Sequence, residues 1–195
     1  MDTLLPLADR VLPTGQRVGA VNALRREPDG TWTGDMFDGR GLMRGLRAEG
    51  IEPKGRRVMQ IGAGGAGSAV AVAFAEEGAE ALTITDLDMG KAEELAARVG
   101  KAFPGCAVKA GPPDLEAHDT LVNCTPVGMR PGDGFPAPME RLRANMLVID
   151  IIIVPEVTPL LAHARALGCK ALGGRTMLEG QAEEVMQFFG IGGQG

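Results

Sequence analysis

Gly62, Gly64 and Gly67 lie in the run GAGGAG, after the apolar stretch Val58 to Ile61 and before a helix-forming segment that starts near Ala66. The spacing is G-x-G-x-x-G, and its chemistry is pyrophosphate binding. The first glycine permits a tight turn, the second lets backbone approach the phosphates, and the third lets a helix pack closely on the sheet. Ala63, Gly65 and Ala66 complete the loop. The helix N-terminus then presents free N–H groups and a positive dipole end to the anion. Leu82 to Thr85 reads as a second strand, with Asp86 at its carboxyl end, 86 − 62 = 24 residues past the first glycine. That is close to the spacing of an acid that accepts hydrogen bonds from a ribose 2′-hydroxyl. A glycine loop of another α/β protein could share the bare pattern; the flanking strand, helix and acid favour the dinucleotide reading.

The elements that must position these residues alternate. Strands are expected at 58–61, 82–85, 106–109, 119–123, 146–150 and 169–172, with helices at 66–78, 90–99 and 158–167. Strands separated by helical stretches predict a parallel sheet with right-handed crossovers. Thr158 before Pro159 is a good cap and first-position pair. Glu179 to Phe189 carries apolar residues at helical spacing and reads as a terminal helix, followed by a frayed GIGGQG. Residues 1–50 differ in character. Met1 to Val11 reads as a helix, Gly19 to Arg26 and Thr31 to Gly34 as a hairpin, and Asp38 to Ala48 as a helix, with a polar linker over 49–56.

Bulk properties narrow the class. At 195 residues, 45% hydrophobic and 23% charged, the chain is expected to be soluble and globular. A net charge of −5 with no basic run argues against nucleic acid. The longest apolar run, Met146 to Pro155, is broken by Asp150, so no membrane span is expected, and the N-terminus has no secretory pattern. Cys106, Cys124 and Cys169 are odd in number and far apart, which suggests reduced thiols in a cytoplasm and no metal site. His118 and His163 are isolated and read as surface residues. The 29 glycines are expected at turns between short elements.

Several short signatures occur in order: GAVNALRR with Asn22, GDMFDGRGL with Asp38, GAGGAG, NCTPVGM, VIDIIIVPEVTPLL, and GGRTMLEGQ with Gln181. As an ordered set they resemble the shikimate dehydrogenase family, including its quinate/shikimate branch. The resemblance implies an α/β protein. A Rossmann-like parallel sheet with helices on both faces spans 51–178, a partial N-terminal α/β substrate domain spans 1–50, and a C-terminal helix over 179–195 returns toward it. It also implies hydride transfer between a nicotinamide cofactor and a cyclic polyol acid, shikimate or quinate, as in aromatic amino acid biosynthesis, with proton transfer by a Lys–Asp pair. Asp38 would then be the catalytic aspartate, and Asn22, Asp38 and Gln181 would bind substrate. Thr125 and Pro126 would lie in the loop beside the cofactor, and Gly174 and Met177 near the nicotinamide. Amides suit a polyol because they both donate and accept, and an alkoxide formed on hydride loss needs a proton partner nearby.

The chain departs from the family pattern in four places. Counted back from Asn22, the family's lysine falls at Met1, and the serine-containing substrate motif would precede it. A fragment or a shortened relative is therefore expected, with exposed apolar surface over residues 1–50 that a homodimer or strand swap could cover. Ile153 stands where the family has a tyrosine in D-x-x-Y-x-P. Met36 and Phe37 precede Asp38 in place of polar residues, which should raise the acid's pKa by desolvation. The turn after the second strand is Asp86-Leu87-Asp88, where carboxylates would repel a 2′-phosphate, so NAD is preferred, with NADP possible. The alternative reading is a non-catalytic NAD-binding fragment or module that has lost the lysine.

Overall fold

The computed structural model describes residues 4–191. Its larger sheet has six parallel strands, β4 (Arg57–Ile61), β5 (Ala81–Thr85), β6 (Ala107–Ala110), β7 (Thr120–Asn123), β8 (Leu147–Asp150) and β9 (Lys170–Leu172), in the order β6-β5-β4-β7-β8-β9. Helix α3 (Gly65–Glu76) joins β4 to β5, α4 (Met89–Ala102) joins β5 to β6, and α5 (Pro159–Ala166) joins β8 to β9. Every residue of β7 and β8 is buried, as parallel strands covered on both faces require. Side chains alternate between two cores. Val58, Val122, Leu147 and Ile149 pack with the residues of α3 and α4, whereas Met59, Ile61, Leu121 and Val148 pack with Leu160 of α5. Chain order reverses between β4 and β7, so a crevice opens at their carboxyl ends, the position where open α/β sheets bind ligands.

The smaller sheet has β1 (Arg10–Val11), β2 (Ala23–Arg26) and β3 (Trp32–Asp35) in the order β1-β3-β2, with β1 parallel and β2 antiparallel to β3. It is followed by α2 (Asp38–Ala48), and α1 (Pro13–Val18) lies between β1 and β2. The last helix, α6 (Gly174–Phe188), leaves β9 and packs along α2, which also rests on α3. Glycines set these contacts. A β-carbon on Gly41 would come within 2.6 Å of the Gln181 β-carbon and the Met177 carbonyl oxygen. One on Gly39 would come within 2.9 Å of the Ala73 side chain, and those on Gly45 and Gly180 would overlap Thr176 and Gly41 backbone.

Most expected elements stand, with boundary shifts of a few residues. The differences have physical causes. Met1 to Val11 does not form one helix. Residues 1–3 lie outside the described residues, Leu5–Leu7 form a single 3-10 turn, and Arg10–Val11 pair with β3, which satisfies their backbone better than a helix interrupted at Pro6. The strand expected from Gly19 begins at Ala23, because Gly19 takes a left-handed conformation (φ 72°) that ends α1. The terminal helix starts at Gly174 rather than Glu179, so it crosses the expected boundary at 178/179. Gly174 is needed at that start, since its β-carbon would come within 2.6 Å of the Ile151 carbonyl carbon. Of the GIGGQG tail, residues 192–195 lie outside the described residues, as does Met1, where the lysine was counted. Glycines are not confined to turns: Gly39, Gly41, Gly45 and Gly180 are helical packing residues.

His118 is not a surface residue. It is 4% exposed, and its Nε2 lies 2.9 Å from Thr83 Oγ1 while Nδ1 pairs with the Asp114 carbonyl. His163 is half-buried against the Phe135 ring, with centroids 5.1 Å apart. No helix among the described residues is long and apolar enough to cross a membrane. Because α2 and α6 meet through Gly180, Gly180→Ala is expected to cost about 2 kcal/mol and lower the melting temperature by several degrees. Gly105→Ala, where a β-carbon meets nothing within 4 Å, should stay within about 0.5 kcal/mol. Equal melting curves for the two variants would contradict the packing account.

Candidate functional site

Two groups of residues form the site: a glycine turn at the sheet's switch point, and a buried carboxylate beside it. Gly62 ends β4 with φ 104°, and its β-carbon would sit 2.9 Å from the Cys124 carbonyl on the neighbouring loop. Gly67 faces the Gly62 carbonyl so closely that a β-carbon would overlap it. At Gly64, by contrast, a β-carbon meets no atom within 4 Å. Two glycines are therefore required by packing, while the third leaves open space in front of the turn, which is what a pyrophosphate needs. Gly64 caps α3 without any side-chain hydrogen bond, so the first-turn N–H groups at Gly65 and Ala66 remain available to an anion.

Asp86 sits at the carboxyl end of β5 and braces this turn. Its Oδ2 accepts a 2.7 Å hydrogen bond from the Ala63 N–H and its Oδ1 a 3.0 Å bond from the Asp88 N–H. Asp88 in turn caps α4, accepting from the Gly90 N–H at 3.1 Å. A carboxylate has about four acceptor positions, so Asp86 can serve the turn and a ribose hydroxyl together. The crevice in front has a volume of about 470 Å³, and Gly62, Gly64, Asp86, Thr125, Pro126 and Pro136 are among its walls. These residues fit an extended dinucleotide end: an acceptor at the strand end, an open glycine turn, and apolar walls.

The far wall is held by a buried polar network that sequence reasoning missed. Asp150, at the carboxyl end of β8, accepts from Thr158 Oγ1 at 2.7 Å, Asn123 Nδ2 at 3.1 Å and the Ile152 N–H at 3.2 Å. Asn123 Oδ1 accepts from the Thr125 hydroxyl at 2.7 Å and the Thr125 N–H at 3.0 Å. Thr158 also caps α5 through the Leu161 N–H at 3.2 Å. Burial pushes the Asp150 carboxyl above its usual range, and its three donors pull it back. The available signal was a polar residue ending an otherwise apolar strand, twice, in LVN and LVID. Cys124 lies inside this wall, and burial raises its thiol pKa, helped by the charges of Asp150 and Asp38.

Asp38 is brought beside the glycine turn by its neighbour Gly39, whose β-carbon would overlap the Ala69 carbonyl oxygen of α3, the helix that leaves that turn. Asp38 is the first residue of α2, following Phe37 at the cap, and is 5% exposed. Asn22 Nδ2 donates to Asp38 Oδ1 at 2.7 Å and lies 3.3 Å from Gln181 Oε1. Asn22 is itself fixed, since its Oδ1 accepts from the Phe37 N–H at 3.1 Å and its own N–H donates to the Asp35 carbonyl at 3.0 Å. The three residues come from the end of the α1–β2 loop, the start of α2 and the middle of α6. Burial raises the Asp38 pKa, and the amides of Asn22 and Gln181 partly oppose that rise. Met36 and Phe37 are both buried, in line with the apolar setting expected from them. Asp35 ties α1 to the start of α2, accepting from the Gly15 N–H of α1 at 2.8 Å and pairing with Arg40 of α2 at 3.0 Å.

The remaining expected residues stand apart. Gly174 and Met177 lie in the first turns of α6 and do not line the crevice at the glycine turn; Met177 is buried against α2. Ile153, 44% exposed on the segment between β8 and α5, offers an apolar side chain to a shallow hollow beside Leu178 and Glu179.

Comparisons with known proteins agree with this fold. No family model matches the chain. The NADP(+)-dependent shikimate dehydrogenase of Arthrobacter sp. (strain FB24) is 38% identical over 186 residues, covering 93% of this chain and 63% of the relative. The chain thus spans rather less than two thirds of that relative's length. Quinate dehydrogenase from Corynebacterium glutamicum, solved in complex with NAD, superposes with a TM-score of 0.83 at 34% identity, covering 96% of this chain and 68% of that one. Shikimate 5-dehydrogenase from Thermus thermophilus, solved with NADP(H) and shikimate, gives a TM-score of 0.83 at 33% identity, covering 97% of this chain and 70% of that one. On the glycine turn, the buried Asn22–Asp38–Gln181 group and these matches, the chain belongs to the shikimate dehydrogenase family.

Proposed function

We propose that this chain carries the cofactor-binding lobe and part of the substrate site of an NAD-dependent oxidoreductase acting on a cyclic polyol acid of the shikimate or quinate type. The observation that carries the reading is the buried Asp38 carboxyl, held by Asn22 at the start of a helix that Gly39 seats against α3, the helix that leaves the glycine turn. Gly64, Gly65 and Ala66 would hold the pyrophosphate by backbone, and Asp86 would accept from the adenosine ribose. A bound nicotinamide supplies the hydride acceptor. Asn22 and Gln181 orient ring hydroxyls with their amides, and Asp38 takes part in moving the hydroxyl proton, which its raised pKa suits. The exclusion of water by Met36 and Phe37 strengthens each of these polar contacts. Gly174 and Met177 would act from α6, where the helix passes the segment after β8. We read 1–50 as substrate lobe, 51–178 as cofactor lobe and 179–195 as the returning helix, with a homodimer as the assembly.

Cofactor choice follows from the turn after β5. Asp86 and Asp88 place two carboxylates where a 2′-phosphate would sit, while Asp86 can accept from the free hydroxyl of NAD. The dissociation constant for NAD is expected to be at least about ten-fold below that for NADP in calorimetric titration. Equal affinity would sink the NAD assignment without touching the fold.

Asp38→Asn keeps the hydrogen bond from Asn22 but removes the proton-transferring group. Oxidation of shikimate or quinate, followed by NADH absorbance, should fall at least about 100-fold while NAD affinity holds. Near-normal turnover would remove Asp38 from the reaction. The same variant carries a pH signature. Burial raises the folded pKa of Asp38, so its ionised form destabilises the fold at high pH and that cost disappears at low pH. Asp38→Asn should therefore raise the melting temperature at about pH 8, with the gain vanishing as pH falls toward about 4, the unfolded carboxylate value.

A further inference from the structure

Gln60 is the penultimate residue of β4 and is 0% exposed. It points to the α3 side of the sheet, in line with Val58, at a place where a strand covered on both faces ordinarily carries an aliphatic residue. A buried amide costs free energy unless both of its ends are bonded. Here one end is. Nε2 donates to the Gly62 carbonyl at 2.9 Å and to the Gly67 carbonyl at 2.9 Å. Among the described residues, Oε1 has no donor. The side chain is thus a poor choice for the core and a good one for the turn. It ties the first glycine of the phosphate loop to the last, across the stretch whose N–H groups face the open space at Gly64.

Two further features fit this role. The Gly62 carbonyl lies under Gly67, where a buried acceptor needs a donor. A β-carbon at residue 67 would stand 3.2 Å from Gln60 Nε2, so the third glycine leaves room for the amide as well as for the helix. We infer that Gln60 is a positioning residue for the dinucleotide: it never reaches the ligand, but it pre-sets the turn in the form that binds pyrophosphate. This inference rests on the reading of the turn as a nucleotide site. Pre-setting the loop lowers the ordering cost at binding, so its loss should appear in affinity for the pyrophosphate more than in overall stability.

Gln60→Met separates the two. It keeps side-chain length, removes the orphaned Oε1 and withdraws the donor from the Gly62 carbonyl, so gain and loss in stability roughly offset. The melting temperature should move by no more than about 3 °C. Calorimetric titration should show NAD and ADP binding about ten-fold more weakly, the worth of about one hydrogen bond. Adenosine, which carries no pyrophosphate, should bind as it does to the unmutated chain. Gln60→Asn is too short to span both carbonyls and should give the same pattern, which keeps the test open if Gln60→Met does not fold. NAD affinity unchanged in either folded variant would overturn the inference. So would an equal loss for adenosine and NAD, because that reports general damage. Failure of the unmutated chain to bind NAD would overturn the nucleotide reading itself, and the inference with it.

Discussion

The site depends on how closely α2 can lie against its two neighbours. Asp38 opens that helix, and the glycines at 39, 41 and 45 let it sink onto α3 on one side and α6 on the other. Gly41 is one turn beyond Asp38 on the same face, and Gln181 stands directly across from it. Any side chain at 41 would push Gln181 away from Asn22 and the carboxyl. Each helical glycine costs about 1 kcal/mol in propensity. The burial of Leu42, Met43 and Leu46 on the same helix, each worth about 1.5–3 kcal/mol, outweighs that cost. The helix is therefore stable because of its packing and not because of its own sequence preference, and the geometry around Asp38 inherits that dependence.

The sheet contributes a second kind of order. Three of its strands end in polar residues at their carboxyl ends, at Asn123, Asp150 and Thr85–Asp86. Those ends converge on the switch point between β4 and β7. Asp150 is wholly buried yet has three donors, so it organises the wall without leaving a charge unanswered. It thereby fixes Asn123, which fixes Thr125, the residue that borders the crevice. Gly62 and Cys124 then meet so closely that the two loops define one another. The crevice is thus built from backbone and short side chains on rigid elements, which is what recognition of a long, flexible dinucleotide requires.

Local signals made much of this legible in the sequence. The strand, glycine turn, helix, strand and acid around 58–86 are set by near-neighbour chemistry, and Asp38 to Ala48 could be read as a helix to the residue. Asn22, Asp38 and Gln181 are far apart in sequence, and only a family resemblance could bring them together; the fold does so through α2 and α6. What escaped was whatever needed a three-dimensional neighbour. Glycines at 41, 45 and 180 fall inside expected helices, but nothing local shows the second helix pressed on them. His118 read as a surface residue because Thr83, which meets its Nε2, lies on a strand 35 residues earlier in the chain. Arg10–Val11 read as helical because their pairing partner, β3, comes more than twenty residues later.

In this reading the glycine-lined seat of α2 joins the proposed polyol site to the proposed nucleotide crevice. The most direct test is calorimetric titration of NAD, with and without shikimate, on the unmutated chain and on Gly41→Ala. Shikimate is expected to tighten NAD binding in the unmutated chain, and Gly41→Ala to lose this coupling while still binding NAD alone. Coupling of the same size in Gly41→Ala would contradict it.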